Sequence, residues 1–254
     1  MRALADAVGV RGRGAVSATA NGPAGALGSG ALLPESLRAE MADMLARIPL
    51  DSGGGATLLK VLMLGDLIVE RPVARAVEIG VYRGRLLLPL ALVMRWRGEG
   101  EILGIDPYSA VAAEQHDEHE VGIDLRSWPS TIDWEELHDG VHGAIVSSGL
   151  EPFARLVRAR SEDVAGTFEP GSIDLLHVDG NHDAAAVAAD AELYLPLVCT
   201  GGYVVLDDPS WASVRPVFDD LCARHELLFR LYDGRGLSAD GVGGNDFAVF
   251  RLRA

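Results

Sequence analysis

The sequence predicts one large α/β domain, with helices on both faces of a mostly parallel sheet. Short apolar runs bounded by glycine or aspartate recur along the chain and are typical of buried strands. Segments with helical periodicity lie between these runs. The 254 residues, 48% of them hydrophobic, are enough to bury a full sheet. We therefore expect a single layered domain with an additional segment at its N-terminus.

Composition restricts the class of partner. The formal net charge is −15, which argues against nucleic acid, because such binding requires many Lys and Arg contacts to phosphates. A small-molecule partner is favoured. No run reaches the roughly 18 apolar residues of a membrane span, and no signal peptide is recognisable. The two cysteines, Cys199 and Cys222, lie in apolar surroundings and suggest buried thiols in the reducing cytoplasm.

The chain before residue 71 divides into two parts. Residues 1–33 are rich in Ala and Gly and predict a flexible arm. Residues 34–70 predict two helices, which pack on the sheet domain or on another subunit of a homo-oligomer, or alternatively roof the active site. Residues 71–254 form the sheet domain. The predicted buried stripes are Leu37, Met41, Met44, Leu45 and Ile48 in the first helix, and Leu58, Leu59, Leu62 and Met63 in the second.

A glycine turn organises the sheet domain. Residues 75–79 predict a buried strand, and the apolar run 86–92 predicts a helix that packs back on it. Gly80 and Gly84 between them let a nucleotide-like ligand approach free backbone N–H groups. Their spacing is not that of the dinucleotide fingerprint, and Glu78 favours a cationic ligand over a diphosphate. The alternative is a tight strand-to-helix connection without a ligand.

The next strand, residues 101–105, ends in Asp106. An acidic residue 20 or so positions beyond a glycine turn typically accepts hydrogen bonds from ribose hydroxyls, and this predicts a cofactor contact. The alternative is a turn residue before Pro107. The charged stretch 108–131 predicts a loop or lid, although His116 and His119 also invite a metal interpretation. A helix over 132–148 and a strand over 153–159 follow, and the strand is closed by Ser161 as a helix cap.

Two later strands end in acidic residues. Asp179 follows the run 172–178, and Asp207 and Asp208 follow the run 202–206. The carboxyl ends of parallel strands share one edge of a sheet, so these carboxylates can converge and hold Mg²⁺ or a similar ion. His182 would lie on the same edge and accept a proton. The alternatives are ordinary helix caps and a surface histidine.

Four segments of the sequence carry a family resemblance. They are Glu-Ile-Gly-Val-Tyr-Arg-Gly from Glu78, Gly-Ile-Asp-Pro-Tyr from Gly104, Ile-Asp-Leu-Leu-His-Val-Asp-Gly-Asn-His-Asp from Ile173, and Gly-Gly-Tyr-Val-Val-Leu-Asp-Asp from Gly201. Together they resemble the class I S-adenosylmethionine-dependent methyltransferases, and more narrowly the metal-dependent small-molecule branch that includes macrolide-sugar and aminocoumarin-sugar O-methyltransferases. The resemblance covers about residues 75–253. It implies a Rossmann-like sheet of seven strands with an antiparallel last strand, and residues 227–232 and 245–252 read as the last two strands.

The resemblance implies a role for each site residue. The methionine part of S-adenosylmethionine would be lined by Glu78, Gly80, Tyr82 and Gly84, its ribose would be held by Asp106, and its adenine would face Ser161. The metal would be bound by Asp179, Asp207 and Asp208, with His182 as the proton acceptor. The implied reaction is Mg²⁺-dependent methylation of a hydroxyl on a small molecule, such as a natural product or a sugar.

The sequence departs from the resembling branch at three positions. Some relatives have Glu where this chain has Asp207, and sugar-modifying relatives often have Trp and Gly where Tyr82 and Arg85 stand, which leaves the acceptor open. Two other functions also remain open. A nicotinamide-dependent oxidoreductase would share the glycine turn and Asp106, and a non-catalytic accessory subunit would bind cofactor without transferring a methyl group.

Overall fold

The computed structural model describes residues 32–50, 55–71, 73–119, 123–232 and 245–253. Seven strands form one sheet in the order β3-β2-β1-β4-β5-β7-β6. The first five strands are parallel, and β7 runs antiparallel to both β5 and β6. The strands are β1 (Arg75–Ile79), β2 (Glu101–Ile105), β3 (Ala154–Val157), β4 (Ile173–Val178), β5 (Val198–Asp207), β6 (Glu226–Tyr232) and β7 (Asp246–Arg251).

Helices cover both faces of this sheet, as predicted. One core cluster joins the sheet to the helices at the start of the chain, and a second cluster lies on the opposite face against the later helices. The α-helices are α1 (Glu35–Arg47), α2 (Leu58–Glu70), α3 (Leu87–Arg97), α4 (Ala110–Ala113), α5 (Trp134–Ser147), α6 (Ser161–Ala165), α7 (Ala184–Tyr194) and α8 (Arg215–Arg224).

Most predicted elements have the expected bounds. The strand predicted over 153–159 is shorter, and Ser161 is the first residue of α6, with Arg160 at the cap position. Asp133 caps α5 by accepting a hydrogen bond from the backbone N–H of Glu136 at 3.0 Å. Most of the predicted arm and of the turn at residues 51–55 lies outside the described residues.

The N-terminal helices pack on the sheet domain. Leu37 and Met41 of α1 belong to the same core as Leu87 and Leu90 of α3. The guanidinium of Arg85, just before α3, donates to the backbone oxygen of Ala56 at 3.0 Å. It also donates to the backbone oxygens of Leu45 in α1 and of Ile48 just after α1. A buried arginine therefore ties both N-terminal helices to the segment that follows the glycine turn.

The predicted buried stripe of α2 is confirmed only at Leu62 and Met63, which pack partly buried against the core. Leu58 and Leu59 are 40% and 49% exposed, and the buried face instead contains Lys60, Val61 and Leu64. The apolar stripe was read from hydrophobicity, whereas the helix turns its single lysine inward because that side chain finds carboxylates across the sheet.

The interpretation of both cysteines as buried thiols is also wrong. Cys199 is half-buried, Cys222 is exposed on α8, and the two do not form a disulfide bond with each other. Among the described helices, none is both long and apolar enough to cross a bilayer.

Candidate active site

A cavity of about 540 Å³ opens at the carboxyl ends of the central strands. It lies where the strand order reverses between β1 and β4, which is where open α/β sheets bind ligands. The structure brings almost all of the predicted site residues to this cavity. Those that line it are Glu78, Gly80, Tyr82, Asp106, Ser161, Asp179, His182, Asp207 and Asp208.

The glycine turn is tightly packed against the end of β4. Gly80 has φ of +85°, and a Cβ atom there would lie 2.0 Å from the backbone oxygen of Asp179. Only glycine fits this position. Gly84 is not among the residues that line the cavity; its α-carbon faces Val141 and Leu88 beneath the turn, so it shapes the entry to α3.

Asp106 holds the glycine turn from the neighbouring strand. One carboxylate oxygen accepts from the backbone N–H groups of Val81 and Tyr82 at 2.9 and 3.0 Å, and the other accepts from Tyr108 at 2.7 Å. Burial raises the pKa of Asp106, although these three backbone donors lower it in part. Asp106 therefore positions the turn as well as lining the cavity, a role that sequence spacing does not reveal.

A buried polar chain crosses from β1 to β4 beneath the cavity. Glu78 and His177 are paired in register, and His177 Nδ1 lies 3.5 Å from Glu78 Oε1. His177 Nε2 lies 2.9 Å from the ammonium nitrogen of Lys60. Because an ammonium only donates, Nε2 accepts and the imidazole proton is assigned to Nδ1, facing Glu78. Burial raises the pKa of Glu78.

Lys60 brings a positive charge into the carboxylate cluster. Its ammonium lies 2.5 Å from each carboxylate oxygen of Asp207 and 3.9 Å from Asp179 Oδ2, with only 4% of the side chain exposed. Burial lowers the pKa of Lys60, but Asp207 and Asp179 outweigh that effect and raise it, so the ammonium stays charged. The sequence prediction gave no role to Lys60 or His177; the presence of only one lysine in the whole chain was the available signal.

Among the three aspartates, the surroundings favour the ionised form most at Asp207. Burial opposes its charge, but the Lys60 ammonium, 2.5 Å from both carboxylate oxygens, holds its pKa below the ordinary range. Burial and the neighbouring charge of Asp207 raise the pKa of both Asp179 and Asp208. The cluster thus concentrates its negative charge beside the lysine.

His182 lies between two of the aspartates, as the prediction required. Its Nε2 is 3.4 Å from Asp208 Oδ2 and 3.7 Å from Asp179 Oδ1, and its ring packs against Trp211 with centroids 4.9 Å apart. Burial lowers the pKa of His182 to about 4, so the imidazole is neutral at physiological pH.

The far end of the cavity carries a further buried carboxylate, that of Asp190. The Ser161 hydroxyl donates to Asp190 Oδ1 at 2.5 Å, and the Tyr194 hydroxyl donates to the Ser161 backbone oxygen at 2.7 Å. Burial raises the pKa of Asp190 to about 6. Asp190 was not predicted, because a lone aspartate in an alanine-rich helix gives no sequence signal.

The predicted lid is fastened to the exit of β4. The Asn181 amide donates to the backbone oxygens of Ala112 and Glu114, and the Asp183 carboxylate accepts from the backbone N–H groups of His116 and Asp117. His116 is exposed. His119 packs against Trp211 and lies 3.6 Å from Asp183. The two histidines therefore lie in the predicted lid and not in the carboxylate cluster.

The carboxylate and imidazole groups at this end of the sheet are of the chemical type that binds a divalent ion. Potential ligand atoms of His177, Asp179 and Asp207 lie within 4.8 Å of one another, whereas Asp208 faces His182. Carboxylate oxygens suit Mg²⁺, and an imidazole extends the set to softer ions. The Lys60 ammonium already contacts both oxygens of Asp207, so an ion bound by Asp207 requires that the ammonium move.

A seven-stranded sheet of this order, with a glycine turn after β1 and an acidic residue after β2, defines the class I methyltransferase fold. A family model described as a methyltransferase domain matches residues 77–209, which is more than half of the chain. The chain belongs to this family, and the predicted class of enzyme is confirmed. The comparison with curated protein sequences gives no match.

Solved structures agree on the fold. The O-methyltransferase NovP is 15% identical with a TM-score of 0.60, over 86% of this chain and 97% of NovP. The O-methyltransferase TomG from Streptomyces achromogenes, in complex with SAM, is 16% identical with a TM-score of 0.55, over 87% and 91%. An O-methyltransferase from Bacillus cereus, in complex with SAH, is 15% identical with a TM-score of 0.55, over 87% and 92%.

Proposed function

We propose that this protein transfers a methyl group from S-adenosylmethionine to a hydroxyl group of a small molecule. One observation carries the proposal: the glycine turn and the group formed by Asp179, His182, Asp207 and Asp208 line the same cavity. The turn is where the methyltransferase fold takes its cofactor, and the polar group is suited to deprotonating an acceptor. TomG in complex with SAM and the Bacillus cereus protein in complex with SAH support the choice of cofactor.

When bound, S-adenosylmethionine supplies an electrophilic methyl group on a positively charged sulfur. Glu78 and Gly80, which line the cavity at the glycine turn, would hold the methionine part of the cofactor, and the missing side chain of Gly80 keeps the turn close to the end of β4. Asp106 keeps the turn in place and offers its remaining acceptor sites to the ribose. Ser161 and Asp190 supply polar groups at the adenine end.

His182 is the proposed proton acceptor. Because burial keeps its imidazole neutral, the ring can take the hydroxyl proton as the acceptor oxygen bonds to the methyl carbon and the carbon–sulfur bond breaks. The products are the methylated acceptor, S-adenosylhomocysteine and one proton. Alignment of the oxygen with the methyl group supplies much of the acceleration.

Metal dependence is part of the proposal. Asp179 and Asp207, with Asp208 next to them, would hold Mg²⁺ or a similar ion, which would supply a Lewis acid to lower the pKa of the acceptor hydroxyl. The donor chemistry supports this assignment.

An acceptor that carries a ring is favoured. Tyr82, Trp128 and Trp134 line the cavity and contact one another with ring centroids 5.7 to 6.2 Å apart. Aromatic walls of this kind bind flat or ring-shaped ligands through apolar contact. This agrees with a natural product or a sugar-containing molecule as the acceptor.

Calorimetric titration tests the cofactor. S-Adenosylhomocysteine is expected to bind and NADH is not; the reverse result would favour the nicotinamide oxidoreductase and overturn the proposal. Formation of S-adenosylhomocysteine is then measured with a panel of hydroxylated sugars and aromatic natural products, with and without EDTA. Full activity in EDTA would remove the metal from the proposal, and binding without transfer to any acceptor would favour the accessory subunit.

The His182→Gln variant tests the proton acceptor, with Asp183→Asn, at the neighbouring lid anchor, as a matched control. Turnover is expected to fall about 100-fold or more in His182→Gln, because general base catalysis contributes that much, while cofactor binding is kept. An unchanged turnover rate would exclude His182 as the base.

A further inference from the structure

Lys60 is the only lysine in the chain; all the other fixed positive side chains are arginines. A protein that uses arginine almost everywhere places its one lysine, almost fully buried, among the aspartates of the active-site cavity. The compact ammonium fits between carboxylates as a point charge, whereas the planar guanidinium of arginine requires more room and a forked partner. The space and the charges in this cavity therefore explain why position 60 is lysine and not arginine.

Lys60 is held in place at both of its ends, at the backbone and at the ammonium group. The backbone N–H of Lys60 donates at 3.1 Å to the hydroxyl of Thr57, which caps α2, and the same hydroxyl donates at 2.5 Å to Asn245 Oδ1 before β7. At the other end, the ammonium lies 5.4 Å from the centroid of the Phe247 ring and contacts His177 and Asp207. The first turn of α2 thus delivers a positive charge to the ends of β4 and β5.

We propose that Lys60 is the built-in cation of the acidic cluster, and that a divalent ion binds to Asp207 only by displacing the Lys60 ammonium. The inference rests on the proposed function in taking this cluster as the acceptor site. It goes beyond that function by assigning a competition between a side chain of the protein and the metal.

The charges explain why the two cations exclude each other. Both oxygens of Asp207 lie 2.5 Å from the ammonium, so a metal ion at Asp207 would lie within a few ångströms of a full positive charge. Two such charges repel each other appreciably even at an effective dielectric constant of about 20. Without a metal, Lys60 compensates Asp207 and keeps the cluster assembled. A bound metal ion would take over this compensation, and the displaced ammonium would have the cavity that Lys60 lines as its space.

The single lysine makes a direct experiment possible. Protein made with lysine labelled with ¹³C at the ε-carbon carries one labelled side chain, so its NMR signal is assigned without further work. Mg²⁺ is titrated into the full-length protein without S-adenosylmethionine or acceptor. The Lys60 signal is expected to shift in step with Mg²⁺ binding measured by calorimetry. Binding of Mg²⁺ that leaves this signal unmoved would overturn the proposal.

The second arm compares affinities for Mg²⁺. Lys60→Met is expected to bind Mg²⁺ about tenfold or more tightly than the wild type, because the competing charge is gone. The matched control is Arg47→Met on the exposed surface of α1, which changes the net charge equally and should leave the affinity unchanged. The double variant Lys60→Met with Asp207→Asn restores the charge balance and should lose the gain.

Each remaining result decides the question. Equal affinity of Lys60→Met and the wild type, or no Mg²⁺ binding to either protein, would show that nothing competes and would overturn the inference. If Lys60→Met fails to fold by circular dichroism, the NMR titration of the wild type still decides. Because neither arm uses the cofactor or turnover, failure here is distinct from failure of the proposed methyl transfer.

Discussion

In the described part of the chain, the non-glycine residues with strained backbone conformations lie at the rim of the cavity. The non-glycine residues with positive φ are Tyr82, Tyr108 and Asp208, which follow β1, β2 and β5. Each unfavourable conformation is held by a hydrogen bond of its backbone N–H, to Asp106 for the two tyrosines and to the Asp246 backbone oxygen for Asp208. Strained residues at a site of chemistry are typically fixed by their surroundings in this way.

A comparison of Gly80 with Gly98 separates two effects on stability, that of close packing and that of a positive φ angle. Both have positive φ, but a Cβ atom at Gly98 would meet nothing within 4 Å, whereas one at Gly80 meets Asp179 at 2.0 Å. Gly98→Ala is expected to cost about 1–2 kcal/mol of stability. Gly80→Ala should cost about 1–3 kcal/mol more and weaken binding of S-adenosylhomocysteine. Urea unfolding and calorimetry measure both effects, and equal losses in the two variants would contradict this account of Gly80.

Asp190 makes stability depend on pH. Its pKa is raised from 3.8 to about 6 in the folded protein, which corresponds to at most roughly 3 kcal/mol. Above that pH the folded state carries a buried charge. Below it the folded state binds a proton that the unfolded state does not, so the contribution of Asp190 to stability increases as the pH falls from about 7 to about 4.

Asp190→Asn should remove this dependence and keep an oxygen for the Ser161 hydroxyl. The variant is expected to be more stable than the wild type at about pH 8 by up to roughly 3 kcal/mol, with a smaller difference at about pH 5. Urea unfolding at the two pH values measures the difference. The same difference at both would mean that Asp190 titrates equally in the folded and unfolded states.

Helix α2 shows how an element can be predicted while its orientation is not. Its bounds follow from a run of helix-forming residues after Thr57, but the apolar pattern favours Leu58 and Leu59, which are exposed. Lys60 is buried because Asp207, 147 positions later in the chain, supplies its counter-charge. The sequence around α2 does not contain that partner. For this reason neither the buried face of α2 nor the full set of residues in the acidic cluster could be predicted from the sequence.

The cap of α2 offers a test at the scale of this element. Thr57→Ala should cost about 1 kcal/mol of stability, because the first turn loses its side-chain hydrogen-bond acceptor. Hydrogen exchange should become faster in that turn, around Lys60, and remain unchanged in α5, which has its own cap at Asp133. Thr57→Ser keeps the hydroxyl and serves as the control. Equal exchange rates in the alanine and serine variants would exclude the cap as the feature that positions Lys60.

The whole molecule was more predictable than its site. Buried parallel strands read as continuous apolar runs that end at glycine or aspartate, which is why β1, β2, β4 and β5 were located from sequence. Because the parallel ends share one edge, the meeting of Asp179 with Asp207 followed from topology alone. Asp190 and His177 were missed, since their importance depends on burial and on partners in other elements.

The net charge leads to a prediction for the entire protein. With a formal charge of −15, the folded chain repels itself more strongly than the expanded unfolded chain does, and added salt screens this repulsion. The free energy of unfolding is therefore expected to rise between about 20 mM and about 200 mM NaCl. Urea unfolding measures it, and KCl serves as the control because a general screening effect does not distinguish the two salts. Mg²⁺ is left out, since it would add binding at the cluster. A stability that falls with both salts would mean that attractive exposed ion pairs, such as those of Arg158 and Arg224, outweigh the repulsion across the surface.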